Sequence, residues 1–176
     1  MAFSVNEFRA QMQGDGARPN LFEISMPFPT FSSPGNAQTK LTFMCKTAQL
    51  PGSTVGVVPV NYFGRELKFV GNRTFADWTV TVYNDTNFKI RNAFERWQNG
   101  INNMTDNEGL TNPADYQVDA FVDHLDRNGN TIKSYTLRGL FPKDIGAIDL
   151  TYDEQTAIEQ FVVTFAYQFF ETNTTT

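Results

Sequence analysis

The chain has 176 residues and a mass of 19.9 kDa, enough for one well-packed domain and short for two. Apolar residues make up 40% and aromatic residues 14%, with 17 Phe, which excludes general disorder and supplies a core. A net charge of −5 and a pI near 4.8 exclude a protein that grips nucleic acid by neutralising phosphates, though not contact without grip.

The N-terminal stretch "MAFSVNEFRAQMQGDGARPN" has no sustained apolar core, and no later stretch reaches the length of a membrane span. The expectation is a soluble, cytosolic product without a membrane anchor, in which the sequons at Asn72, Asn84, Asn103 and Asn173 mean little. "LFEISM" (21–26) predicts a short strand, and "PFPTFSSPGNAQ", with three prolines and a Gly-Asn pair, predicts a loop. "KLTFMCKT" predicts a strand with Leu41, Phe43 and Cys45 on one face and Thr42, Met44 and Lys46 on the other. Cys45 is the sole cysteine, so it forms no internal disulfide, and it reads as a small buried hydrophobe rather than a reactive thiol.

In "AQLPGSTVGVVPVNYFGRELKFVG", Pro51, Gly52, Gly56 and Pro59 fall too close together for a regular ladder. An extended excursion is predicted there, then a strand near Val60, a turn at "FGRE", and a strand with Leu67 and Phe69 on one side and Glu66 and Lys68 on the other. "GNRTFADWTVTVYNDTNFKIRNAFERWQNG" then changes period. Trp78, Val80 and Val82 alternate with polar residues as in a half-buried strand. Ile90, Phe94, Trp97 and Ile101 are spaced as one stripe of an amphipathic helix. Asn84, Asp85, Thr86 and Asn87 between them are candidate caps.

"NNMTDNEGLTNPAD" reads as a polar loop. "YQVDAFVDHLDRNGNTIKSYTLRGLFP" reads as a hairpin turning at Asn128-Gly129. "DIGAIDLTYD" supplies another short strand. In the last strand Phe161, Val163, Phe165, Tyr167 and Phe169 share a face, and "ETNTTT" is a polar, flexible tail. Together these give about eight or nine strands with one helix: a mainly β, antiparallel sandwich or barrel-like domain.

Catalytic parts are missing. His124 is the sole histidine, no G-x-S-x-G elbow is present, and one His with one Cys makes no zinc set. Asp123, Asp126, Asn128 and Asn130 lack the spacing and terminal Glu of a calcium loop. Asp153 and Glu154, adjacent on one strand, point to opposite faces and cannot flank one bond. A sugar-binding module could use the aromatics, but most fall on core faces. A structural role has a positive argument: strands at 65–70 and 131–138 lack a strongly hydrophobic outer face, and a small open sheet leaves edges that pair with other chains. Closing those edges between copies in a ring removes the liability.

Several stretches carry a resemblance. "ARPNLFEI", "LTFMCKTAQLPG", "VPVNYFGRELKFVGNRTFADWTVTVYND", "AFERWQ", "LRGLFPKDIGAIDLTYD" and "IEQFVVTF", in that order, resemble the tail tube proteins of contractile-tailed bacteriophages, from about residue 17 to residue 171. The resemblance does not extend to 102–115 or the Thr-rich tail. It implies one tail tube domain over 1–176, with an N-terminal arm at 1–20 and a flexible tail at 172–176. The fold would be a two-sheet β-sandwich or barrel with one flanking α-helix, shared with tube subunits of type VI secretion and pyocins.

The function implied is structural: stacked six-membered rings whose channel conducts DNA without specific binding. No enzyme activity and no cofactor are implied. Implied partners are further copies, the tail sheath, baseplate and tail terminator proteins and the tape-measure protein. The implied place is the virion tail, assembled in host cytoplasm. By this resemblance Pro51, Gly52, Val55, Val57 and Val58 lie in an inter-subunit loop; the candidates for the channel lining are Thr42, Lys46, Glu66 and Lys68; and the helix stripe Ile90, Phe94, Trp97 and Ile101 covers an open end of the sandwich. The alternatives are a tube subunit of a related secretion or pyocin-like system, or a carbohydrate-binding β-sandwich.

Overall fold

The computed structural model describes residues 4–12, 16–153 and 156–175. The chain is mainly β, and every strand pairing is antiparallel. Strands β1 (Phe22–Ser25), β6 (Val118–Leu125), β7 (Thr131–Ile145), β8 (Gln160–Ala166), β5 (Trp78–Tyr83) and β2 (Cys45–Ala48) lie side by side in that order, and β9 (Phe169–Thr172) also pairs with β7. Strands β3 (Ser53–Tyr62) and β4 (Arg65–Phe75) form a separate two-stranded ribbon.

The seven-stranded sheet folds over at β7. Residues 135–138 of β7 pair with β9, and residues 141–145 pair with β8. The corner is Gly139, at φ +64°, where a Cβ would lie 2.9 Å from Gln168 Cγ, so both backbone and space demand glycine. The run predicted as one last strand follows this bend and breaks at Tyr167 and Gln168, whose N–H donates to Arg138 O at 2.9 Å. Its alternation changes phase there: Phe161, Val163 and Phe165 are buried, whereas Phe169 is exposed. The strand expected at "DIGAIDLTYD" is also corrected. Asp144 and Ile145 close β7, and residues 146–151 are irregular.

The expectation of one helix fails, because α1 (Val5–Gln11), α2 (Ala37–Met44), α3 (Lys89–Ile101) and α4 (Pro113–Tyr116) are all present, with a 3₁₀ turn at Thr30–Ser32. Helix α2 occupies the first part of the predicted "KLTFMCKT" strand. Its buried residues are Ala37 and Leu41, four apart, as a helix face requires, while Phe43 points to solvent. Lys40 on α2 forms an ion pair with Asp85, just ahead of α3, tying the two helices together.

Helix α3 buries Ile90, Ala93, Phe94 and Trp97, and Ile101 packs at the core's margin. The Phe94 ring lies 4.9 Å from Phe28 and 5.6 Å from Phe165 of β8. Trp97 Nε1 donates to Tyr116 O at 2.8 Å. Each of these large side chains contributes about 1.5–3 kcal/mol by leaving water. Asp85 Oδ1 accepts from Lys89 N at 2.9 Å and caps the helix. Strands β1, β5, β6, β7 and β8 join α2 and α3 in one continuous core. At the C-terminal end, Thr175 donates its N–H to Thr172 O at 2.9 Å, so the described part of the polar tail closes a turn.

A candidate assembly surface

The β3–β4 ribbon carries a long run of apolar residues that stay open to solvent. Its pairing sets Tyr62 opposite Arg65, Val60 opposite Leu67, and Val58 opposite Phe69. Paired residues share a face, and alternate residues follow them, so Val58, Val60, Tyr62, Leu67 and Phe69 form one apolar face with Arg65 at its end. Val57, Pro59, Asn61, Glu66, Lys68 and Val70 form the other. Phe69 is 56% exposed and Val70 is 84% exposed. A row of bare apolar side chains on a two-stranded ribbon is a surface that pairs with something else.

Local chemistry explains why this sequence makes a ribbon. Phe63 and Gly64, at φ +46° and +76°, form the tight two-residue turn. The excursion predicted before Val60 is instead the first half of β3. Both strands of a two-stranded ribbon have an open side, where a proline such as Pro59 is tolerated. Gly56 and Gly71 face each other at an irregularity in the ladder, and a Cβ on Gly71 would stand 3.0 Å from the Gly56 carbonyl carbon. The root is fixed: Trp78 Nε1 donates to Gln49 O at 2.7 Å, and the Phe75 ring packs 6.0 Å from Tyr167 and 5.6 Å from Phe170.

Of the residues proposed for an inter-subunit loop, Pro51 and Gly52 lead into β3, and Val55, Val57 and Val58 lie exposed on it. Val57 and Val58 point to opposite faces of the ribbon. Sequence reasoning missed Val60, Tyr62, Leu67 and Phe69 as parts of the same surface, although their alternation around "FG" was there to read. The four channel candidates are not brought together. Thr42 sits on α2, its hydroxyl donating to Gln38 O at 3.4 Å, so its place on a polar strand face is corrected. Lys46 on β2 donates to Gln160 Oε1 at 2.7 Å and lies 5.5 Å from the Tyr83 ring centroid. Glu66 and Lys68 alone share a surface.

Burial pushes the Cys45 thiol up to about 12, against a smaller lowering by its hydrogen bond to Thr47 O, so the thiolate needed for reactivity does not form near neutral pH. His124 on β6 is paired in register with Lys133. Asp126 Oδ1 accepts the N–H groups of Asn128 at 2.7 Å and Asn130 at 2.8 Å, with Gly129 at φ +82°, which makes this segment a turn. Among the described residues no group of three or more His, Cys, Asp or Glu is placed to hold a metal ion. Glu154, considered with Asp153, lies outside the described residues. No helix among the described residues is long and apolar enough to cross a membrane.

A family model described as "Phage tail tube protein" matches residues 17–173. The chain is similar to tail tube protein gp19 of Enterobacteria phage T4, with 34% identity over 164 residues, covering 93% of this chain and 96% of that protein. It is likewise similar to the tail tube protein of Serratia phage KSP90, with 31% identity over 166 residues, covering 93% and 94%. In fold it resembles a chain of the anti-feeding prophage baseplate (TM-score 0.64, 11% identity, 89% of this chain and 95% of that one). It also resembles a chain of the sheath-tube complex of the PVC extracellular contractile injection system (TM-score 0.56, 11% identity, 98% and 99%).

Proposed function

The chain belongs to the phage tail tube protein family, structural components of the virion tail, and on that premise we propose that its copies form six-membered rings stacked around a channel that conducts DNA. The bare β3–β4 ribbon is the observation that carries this proposal. Its root is anchored in the fold by Trp78 and Phe75, and its length bears apolar side chains that the same chain leaves uncovered. Further copies of the chain are the natural cover, because closing such surfaces between copies removes an aggregation hazard.

The other partners follow from the same premise: a sheath outside, baseplate and terminator proteins at the ends, and a tape-measure protein within. The role is mechanical, with no catalysis and no cofactor. DNA passes without specific binding, in keeping with an overall charge of −5 repeated around each ring. A phage tube is favoured over a secretion or pyocin-like tube by sequence: 34% and 31% identity to phage tube proteins, against 11% to the contractile injection system chains.

The test is electron microscopy of the purified protein beside a variant in which residues 57–70 are replaced by an Asn-Gly turn. The intact chain should form rings or tubes, and the shortened one should remain folded and unassembled. Tubes of normal length from the shortened chain would remove the ribbon from assembly.

A further inference from the structure

A second bare surface lies far from the ribbon in sequence, between β7 and β8. Leu150 is 82% and Tyr152 101% exposed, and Ile158 is also open to solvent. This segment is held firmly at both ends. Gly146 N–H donates to Val162 O at 2.7 Å, and Arg91 Nη1 donates to Gly146 O at 3.0 Å. At the other end Asn84 holds Glu159 twice, its N–H donating to Glu159 O at 2.9 Å and its Nδ2 to Glu159 Oε2 at 2.6 Å.

The two surfaces carry opposite charge. No Lys or Arg occurs after Lys143, and the loop's exposed charges among the described residues are Asp149 and Asp153. The ribbon carries Arg65, Lys68 and Arg73 against the single acid Glu66, and on its apolar face the charge is Arg65. Ion pairs elsewhere satisfy Lys40, Arg91, Arg138 and Lys143. Among the described residues Arg65, Lys68 and Arg73 have no such partner.

We propose that the apolar face of the ribbon of one copy, with Arg65 at its end, docks on the apolar, acidic loop at Asp149, Leu150, Tyr152, Asp153 and Ile158 of a second copy. Both surfaces are bare within one chain, so they do not cover each other there. A contact between unlike patches is head-to-tail, and each copy keeps one free patch of each kind for the next. Opposite charge steers the approach and fixes the register, and the apolar residues supply the burial. The inference rests on the self-assembly proposed above and names the surface that the ribbon meets.

Two charge-reversed variants test it: D149K/D153K on the loop, and R65E on the apolar face of the ribbon. Each alone should assemble at least about tenfold more slowly than the wild type in low salt, as rim and interface charges govern association rate. Mixed in equal amounts they should assemble again, because each reversed loop then meets a reversed ribbon. Tyr152→Ser should slow assembly without changing the unfolding midpoint, which keeps the proposal testable if a charge-reversed variant folds poorly. If D149K/D153K and Tyr152→Ser assemble at the wild-type rate while the ribbon-shortened chain does not, the docking proposal is overturned and self-assembly through the ribbon stands. The loop would then serve a different protein. If the ribbon-shortened chain assembles as well, the underlying reading falls too.

Discussion

Trp97 and Phe69 are both large aromatic side chains at regular positions of a regular element, yet Trp97 is sealed from solvent and Phe69 is 56% exposed. The stripe on α3 meets β8 and Phe28 within the same chain. The apolar face of the ribbon instead stays about half open to solvent along its length. Periodicity reveals that a face exists, but not whether its cover belongs to the same molecule. In a protein that assembles with itself, the uncovered face is the informative one.

The comparison breaks first at Trp97. Trp97→Ala removes a fully buried ring and leaves Tyr116 O without its donor, and should cost about 3–5 kcal/mol of folding stability. Urea unfolding in the ribbon-shortened background measures this without assembly shifting the equilibrium. An unchanged midpoint would make α3 a docking surface and abolish the contrast with the ribbon.

Gly71→Ala probes the boundary between the two regions. The added Cβ would meet backbone on several sides, at 3.0 Å from Gly56 C, 3.1 Å from Gly56 O and 3.3 Å from Val57 N, so the strands must part. A cost of about 1–3 kcal/mol is expected, felt as faster amide exchange in β3 rather than as loss of the core. Gly52→Ala is the control, because nothing lies within 4 Å of its added Cβ. Equal exchange in the two variants would show that the close approach is unimportant.

A smaller effect belongs to the core side alone. Burial works to raise the Asp85 carboxyl, but the hydrogen bond and charge of Lys40 and the N–H groups of Lys89 and Ile90 outweigh it and hold the pKa below its ordinary value. A lowered folded pKa contributes stability that is complete above the unfolded value and is lost as pH falls through the folded one. Asp85→Asn keeps an oxygen for the Lys89 N–H but loses the charge paired with Lys40, and should therefore cost about 0.5–1 kcal/mol at pH 7. The gap from wild type should close as pH drops below about 4. A gap that persists to low pH would assign the cost to packing.

The same comparison explains what was legible in the sequence. Trp78, Val80 and Val82 were readable as a half-buried strand, and Ile90, Phe94 and Trp97 as a helix face, because their partners lie in this chain and enforce one clean period. "KLTFMCKT" misled because Leu41, Phe43 and Cys45 alternate like a strand, whereas the pair that decides the helix is Ala37 and Leu41, with Lys40 reaching Asp85 across the fold. Phe169 was misplaced because the bend at Gly139 lies on a different strand from the run it interrupts. The candidate surface was half legible. Pro59 and Gly56 argued against a ladder that a two-stranded ribbon tolerates, and no local pattern in 146–158 announces a docking loop.

The smallest effect on folding, and the sharpest on the comparison, is expected at Phe69. Phe69→Ser changes an exposed side chain on a ribbon outside the core, so the unfolding midpoint should move by no more than about 0.5 kcal/mol. If its face is covered by another copy, the same change removes a buried aromatic from an interface. Losses there of about 2 kcal/mol or more weaken association roughly 30-fold. Val70→Ser supplies the matched control, since Val70 is 84% exposed on the opposite face. Sedimentation of the assembled fraction against protein concentration should shift strongly for Phe69→Ser and little for Val70→Ser. Equal shifts would mean that both faces are covered in the assembly. A shift for Val70→Ser alone would put the contact on the face of Glu66 and Lys68, and their place in the channel lining would then have to be given up.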